Sequence, residues 1–310
     1  MHGPCGPSPL GRWFNSNWCE ANEHRRIPVS AKSPIPVGKF LQLASGHKLH
    51  YHEVGTPSAD RPSILCLHGS GPGASGYSNF KGNMAAFGAA GYHVIVPDYL
   101  GYGLSDKPET IEYSTDTHVP VIRELVDACG VTKVVPIGNS LGGAISLQFT
   151  LTYPEIVPKL ILMAPGGLQE PQEYAFSMPG VLRMLQFISS RPFAIEDFRD
   201  LLGHLVFDPK HITDEAVAER WPVALEQPIP VYASMKVGVY ADRLHELKCP
   251  VLAFWGTHDK FLPVAHASIL ADRCPQAKVI ISNQCGHWVM IEDADYFNAE
   301  CLGFLERPGL

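Results

Sequence analysis

The sequence has little charge and no long apolar run. Charged residues make up 18% of the 310, below the roughly 25% usual for globular chains. Hydrophobic residues make up 45%, which excludes an intrinsically disordered chain. The 24 Lys and Arg against 31 Asp and Glu leave a net charge of −7, with no long run of like charge. A nucleic-acid or anionic-membrane surface is therefore not expected. No stretch approaches the about 18 apolar residues of a membrane span. The first forty residues carry Trp13, Trp18, Arg25 and Arg26 but no continuous apolar core, so no secretory signal is legible. No C-x-x-C pair occurs among the eight cysteines, and Cys66 sits inside the apolar run Ile64-Leu65-Cys66-Leu67. Buried thiols in a reducing, cytoplasmic setting are the expectation. Proline and glycine, in contrast, are plentiful at 27 and 28.

Residues 1–35 show no periodicity and read as a poorly ordered extension. Phe40 to Val54 alternates around Ser45-Gly46, which predicts a hairpin. Short apolar runs then predict buried strands of a mostly parallel sheet: Ser63–His68, His93–Asp98, Val134–Ser140, Lys159–Pro165, Pro250–Asp259 and Ala277–His287. Helical spacing marks Asn79–Ala90, Thr117–Cys129 and Gly142–Tyr153; Val121, Ile122, Leu125 and Val126 give the second a face for the sheet. This alternation predicts an α/β fold with a doubly wound, mostly parallel sheet. From 167 to 247 the pattern is helical without strands, at Gly180–Ser189, Ile195–Leu205, Thr213–Leu225 and Val231–Leu244. Such an insertion reads as a helical cap over the carboxyl edge of a core formed by 36–166 and 248–310. Its start, Gly167 to Glu173, is polar and acidic.

The strand at Val134 runs into Gly138-Asn139-Ser140-Leu141-Gly142, a G-x-S-x-G motif in a strand–turn–helix setting. A bare motif of this kind also fits an ordinary glycine-rich strand–helix junction. An alcohol needs a base to become a nucleophile, and the base needs an orienting carboxylate. Asp259 ends one later strand and His287 follows another, so Ser140, Asp259 and His287 stand in the expected order. His258 is excluded, because neighbours on an extended chain point to opposite sides. An oxyanion hole needs two backbone N–H groups. Leu141 and Ser70, in the loop His68-Gly69-Ser70-Gly71-Pro72-Gly73-Ala74, are the candidates. That loop lacks the spacing of a P-loop or a dinucleotide site. His50 and His52 share a strand face, but no third ligand is nearby, so the expectation is an exposed strand and no metal.

Residues 68–74 continuing into Tyr77-Ser78-Asn79-Phe80, then Gly138 to Gly143, then Cys285-Gly286-His287-Trp288, resemble the meta-cleavage product hydrolases. These are carbon–carbon bond hydrolases of the α/β-hydrolase fold that act in bacterial aromatic and steroid ring degradation. The segment from His211 to Arg220-Trp221 is similar to the family's stretch bearing a substrate-binding arginine. The resemblance, from about residue 40 to 306, implies a Ser140–Asp259–His287 triad and an oxyanion hole at Ser70 and Leu141. Asn79, Asn139, Arg220 and Trp288 would hold the dienoate end of the substrate, while Phe261 and Leu262 would line the acyl pocket. It further implies a small-molecule substrate, no cofactor, and an assembly of two or more copies. A serine carboxylesterase or lactonase with the same triad is the alternative, and a non-catalytic receptor on the same scaffold is a third reading.

Overall fold

The computed structural model describes residues 36–309; the extension expected over 1–35 lies outside them. Strands β1 (Lys39–Gln42) and β2 (Lys48–Val54) form the hairpin, turning through Gly46 at φ 89°. The core then alternates: β3 (Ser63–Leu67), α1 (Gly76–Ala89), β4 (Val94–Pro97), α2 (Thr115–Ala128), β5 (Val134–Ser140), α3 (Leu141–Thr152) and β6 (Leu160–Pro165). Five helices follow: α4 (Pro171–Tyr174), α5 (Pro179–Ser189), α6 (Ile195–Gly203), α7 (Asp214–Glu226) and α8 (Ile229–Ala233). The chain closes with β7 (Val251–Gly256), α9 (His266–Arg273), β8 (Ala277–Ser282), α10 (Val289–Glu292) and α11 (Ala294–Glu306). No helix among the described residues is long and apolar enough to cross a membrane.

The eight strands lie in the order β1-β2-β4-β3-β5-β6-β7-β8, antiparallel at β1–β2 and β2–β4 and parallel elsewhere. The inner strands β3, β4, β6 and β7 are buried at every residue, because helices cover both faces. The chain runs from β3 outward to β4 and then returns to β5 on the other side of β3. Reversal of winding direction opens a crevice at the strands' carboxyl ends. The 68–74 loop and Ser140 both lie there.

Four expectations change. β8 is half-exposed, with Ile281 51% accessible, because it is the sheet's edge and has a single neighbour. His50 and His52 are buried rather than on an exposed strand. His50 donates from Nδ1 to Asp98 Oδ2 at 2.8 Å, and Asp98 also accepts from Gly76 N at 2.7 Å and Leu104 N at 2.9 Å. Burial opposes ionisation of Asp98, but the His50 hydrogen bond and charge outweigh it and hold the carboxyl below its ordinary range. The helix expected over 231–244 stops at Ala233. Beyond it the backbone pairs with the core instead, Lys236 N donating to Tyr113 O at 2.9 Å and Tyr240 N to Gly167 O at 2.7 Å, before a 3₁₀ turn at Ala241–Glu246. Gly238, a poor helix residue, lies in this stretch, packed against the Tyr240 ring. Finally, Glu170 and Glu173 face solvent, whereas Gly167 and Leu168 are buried.

Beneath the 68–74 loop, His68 and His118 pack against Tyr99 at ring separations of 4.1 and 5.0 Å. His68 donates from Nδ1 to Gly69 O at 2.7 Å and accepts Tyr99 N on Nε2 at 3.3 Å, the pattern of a neutral ring. Burial lowers His68 to about 4, partly offset by the charge of Asp98, and lowers His118 to about 3. The unfolded chain therefore binds protons below pH 6.5 that the folded chain does not, and stability present above that pH is lost as pH falls. At pH 5 each ring costs about 2 kcal/mol. Thermal unfolding should show Tm dropping between pH 7 and 5. His118→Phe, which keeps the stacking, should recover about half of the loss; equal losses in both proteins would refute it.

Candidate active site

Ser140 is the last residue of β5 and sits at φ 57° and ψ −116°, a backbone conformation costly for any side chain. Pairing with β6 slips by a residue between Asn139 and Ser140, so the serine pairs with Pro165 at the start of α3. The turn closes because its glycines are bare. A Cβ on Gly142 would strike the Leu67 carbonyl, one on Gly138 the Gly142 carbonyl, and one on Gly143 the Pro165 ring.

Asp259 follows β7 and is held at both oxygens. Oδ1 accepts the backbone N–H of Phe261 at 2.8 Å and of Leu262 at 3.0 Å, and Oδ2 accepts His287 Nδ1 at 2.7 Å. Both side chains are almost wholly buried. With Nδ1 engaged, the imidazole has Nε2 left, and His287 and Ser140 line one cavity of about 240 Å³. The His287 loop is pinned from the cap, Leu205 O accepting His287 N at 2.9 Å and Trp288 N at 3.2 Å. His258 is exposed and lies against Phe207 instead, the rings tilted at 37°.

Ser70, Leu141, Asn79, Asn139, Arg220, Trp288, Phe261 and Leu262 line the same cavity. The Arg220 side chain from α7 is fully enclosed. Nη2 donates to Ser78 O at 2.8 Å and Asn79 Oδ1 at 3.0 Å, and the guanidinium lies 4.3 Å from the Trp288 ring centre. Burial lowers its pKa to about 9, opposed by the charge of Glu219. Glu219 itself is taken by Lys81 Nζ at 2.6 Å. Among the described residues Arg220 has no carboxylate partner.

Asn139 also has a structural part besides lining the cavity. Its Nδ2 donates to the carbonyls of Met163 at 3.3 Å and His287 at 3.2 Å, while the buried Oδ1 has no partner. It ties the serine turn to the histidine loop. Phe261 and Leu262 also do more than line a pocket, since their backbone fixes Asp259.

Sequence reasoning missed the cavity's cap residues, among them Tyr174, Met184 and Tyr232. Val181, Met184, Leu185 and Ile188 form a stripe at helical spacing on α5 that faces the cavity. The stripe is visible in the sequence, but not what it faces. The Asp98 anchor was missed as well; its one signal is an acid ending an apolar strand.

The alpha/beta hydrolase fold family model matches residues 62–294. The chain is 36% identical over 285 residues to the 2-hydroxy-6-oxo-6-phenylhexa-2,4-dienoate hydrolase of Burkholderia cepacia, covering 88% of this chain and 98% of that protein. This chain is a meta-cleavage product hydrolase. Another member, the 2-hydroxy-6-oxononadienedioate/2-hydroxy-6-oxononatrienedioate hydrolase of Comamonas testosteroni, is 35% identical over 89% of this chain and 99% of its own length. Among solved structures, the meta-cleavage product hydrolase of Pseudomonas fluorescens IP01 superposes with a TM-score of 0.73 at 29% identity, over 86% of this chain and 97% of that one. The eight-stranded, mostly parallel sheet and helices described above are thus those of the α/β-hydrolase fold.

Proposed function

We propose that the protein hydrolyses the C5–C6 bond of a 2-hydroxy-6-oxo-hexa-2,4-dienoate, using Ser140, His287 and Asp259 as its triad. The carrying observation is Arg220, a buried guanidinium with no carboxylate partner among the described residues, in the cavity shared by Ser140 and His287. A charge enclosed in this way calls for an anion from outside, and a guanidinium matches the flat face of a carboxylate. Asn79 orients Arg220, and Trp288 supports it from beneath.

With its carboxylate held, the dienol shifts to the keto form, its 2-hydroxyl proton passing to C5. The C6 carbonyl is then attacked by Ser140 Oγ, or by a water, with His287 taking the proton. The N–H groups of Ser70 and Leu141 stabilise the oxygen that becomes negative. When that oxyanion collapses, C5–C6 breaks, its electron pair runs to the C2 oxygen of the held chain, and the proton on His287 goes to that oxygen, giving 2-hydroxypenta-2,4-dienoate. The acyl fragment leaves as a carboxylic acid, directly or after hydrolysis of an ester on Ser140. Asp259 fixes the tautomer of His287 throughout.

The purified protein mixed with yellow ring-fission products should bleach them, with kcat/KM of order 10⁴ M⁻¹ s⁻¹ or above and well above that for p-nitrophenyl esters. Absence of bleaching across aryl, alkyl and steroid-derived substrates would sink the proposal. Dominant ester turnover would favour the esterase or lactonase reading.

A further inference from the structure

The two relatives differ at the far end of the molecule. One name carries a phenyl group, the other a second carboxylate, and identities of 36% and 35% do not choose between them. The cavity wall does. Besides His287, Arg220 is the one cationic side chain among the described residues lining it, and one guanidinium takes one carboxylate. The α5 stripe (Val181, Met184, Leu185 and Ile188) together with Phe261 and Leu262 presents hydrocarbon and aromatic surface.

Two arginines, one on α5 and one just after it, do not line the cavity and are committed elsewhere. Arg183, on the outer side of α5, is paired with Asp197 at 2.8 Å and Asp200 at 2.5 Å. Arg191 lies over Phe193 and donates to Gln227 O at 2.9 Å. Apart from Arg220, the polar groups of the cap wall are neutral: Tyr232 spends its hydroxyl on Gln227 Oε1 at 3.0 Å, and the Gln172 side chain sits at an exposed position. A second carboxylate would be stripped of water there without a countercharge, which is strongly unfavourable. An aryl or branched alkyl group would bury its surface at no such cost.

We infer that the group on C6 of the substrate is uncharged and apolar, aryl or branched alkyl, and that the α5 stripe excludes a carboxylate-terminated one. This rests on the dienoate reading above. The test compares substrates with phenyl and with 2-carboxyethyl on C6. The phenyl compound should have the higher kcat/KM by about 100-fold; a ratio below ten, or a reversed one, overturns the inference. Met184→Arg, with Leu185→Lys as a second variant should the first not fold, places a cation in the stripe. It should narrow the ratio at least tenfold by raising turnover of the diacid. An unchanged ratio in a folded variant counts against the role of α5.

If neither dienoate is bleached, the carbon–carbon reading has failed, and the subsite is judged on esters. Turnover of p-nitrophenyl benzoate ten or more times faster than of p-nitrophenyl hemisuccinate supports an apolar subsite. Parity overturns it.

Discussion

Replacing Ser140 with alanine should lower kcat for the dienoate by about 1000-fold or more, with the fold intact. The expectation follows from where the serine is held. It ends β5 in the backbone conformation at φ 57°, against the same cavity as His287, whose other nitrogen is fixed by Asp259. Alanine keeps the Cβ and so the backbone strain, which means stability should hardly move. Glycine at the same position tells the two apart. Ser140→Gly should be equally inactive but more stable than Ser140→Ala by about 1 kcal/mol, the relief of left-handed strain less the extra freedom of unfolded glycine. Steady-state bleaching and urea unfolding measure both quantities. A loss of activity under tenfold in Ser140→Ala would remove Ser140 as nucleophile and as activator of water. Quenching the reaction and finding an acyl group on Ser140 would choose between those two roles.

Arg220→Ala should lower kcat/KM for the dienoate by about 100- to 1000-fold, while p-nitrophenyl acetate, which has no carboxylate, is hydrolysed nearly as before. Arg220→Lys should not restore it, because a single ammonium replaces two parallel donors and loses hydration on burial. The free protein should behave in the opposite sense. A guanidinium with its pKa lowered to about 9 by burial destabilises the empty cavity, so Arg220→Met, which fills similar space, should unfold at an equal or higher temperature. The parent should also gain more in Tm from saturating product than Arg220→Met does. Equal losses on dienoate and acetate ester would mean that Arg220 shapes the site without binding the substrate.

The core was legible where one physical rule dominated. Strands buried on both faces read as continuous apolar runs, and β3 and β6 lie where Ile64–Leu67 and Leu160–Pro165 are apolar throughout. Glycines 138, 142 and 143 announced the serine turn, since each touches backbone or a ring that a side chain would strike. The cap was less legible. Between Val231 and Leu244 helical spacing competes with backbone pairing to Tyr113 and Gly167, contacts more than a hundred and about seventy residues away in the chain. His50 and His52 misled because alternation gives a strand's two faces but not which one is covered; here both rings are buried. The hydrogen bonds from Phe261 and Leu262 to Asp259 are made by backbone atoms and leave no mark in residue type.

Arg220 belongs to the cap, yet its bonds end on Ser78 and Asn79 of the core. Nearby, Gly73 N donates to Gln227 Oε1 at 2.6 Å, and Gly73 packs against the Arg220 backbone. The residue proposed to hold the substrate is therefore also a latch between the two layers. Lifting the cap as a body would strand a guanidinium and break the binding site in the same motion. Traffic into and out of the cavity is then set by what can move while the latch stays shut. Phe176, just after the short α4, lies on the cavity wall and is 65% exposed, so the wall meets solvent there and not at Arg220.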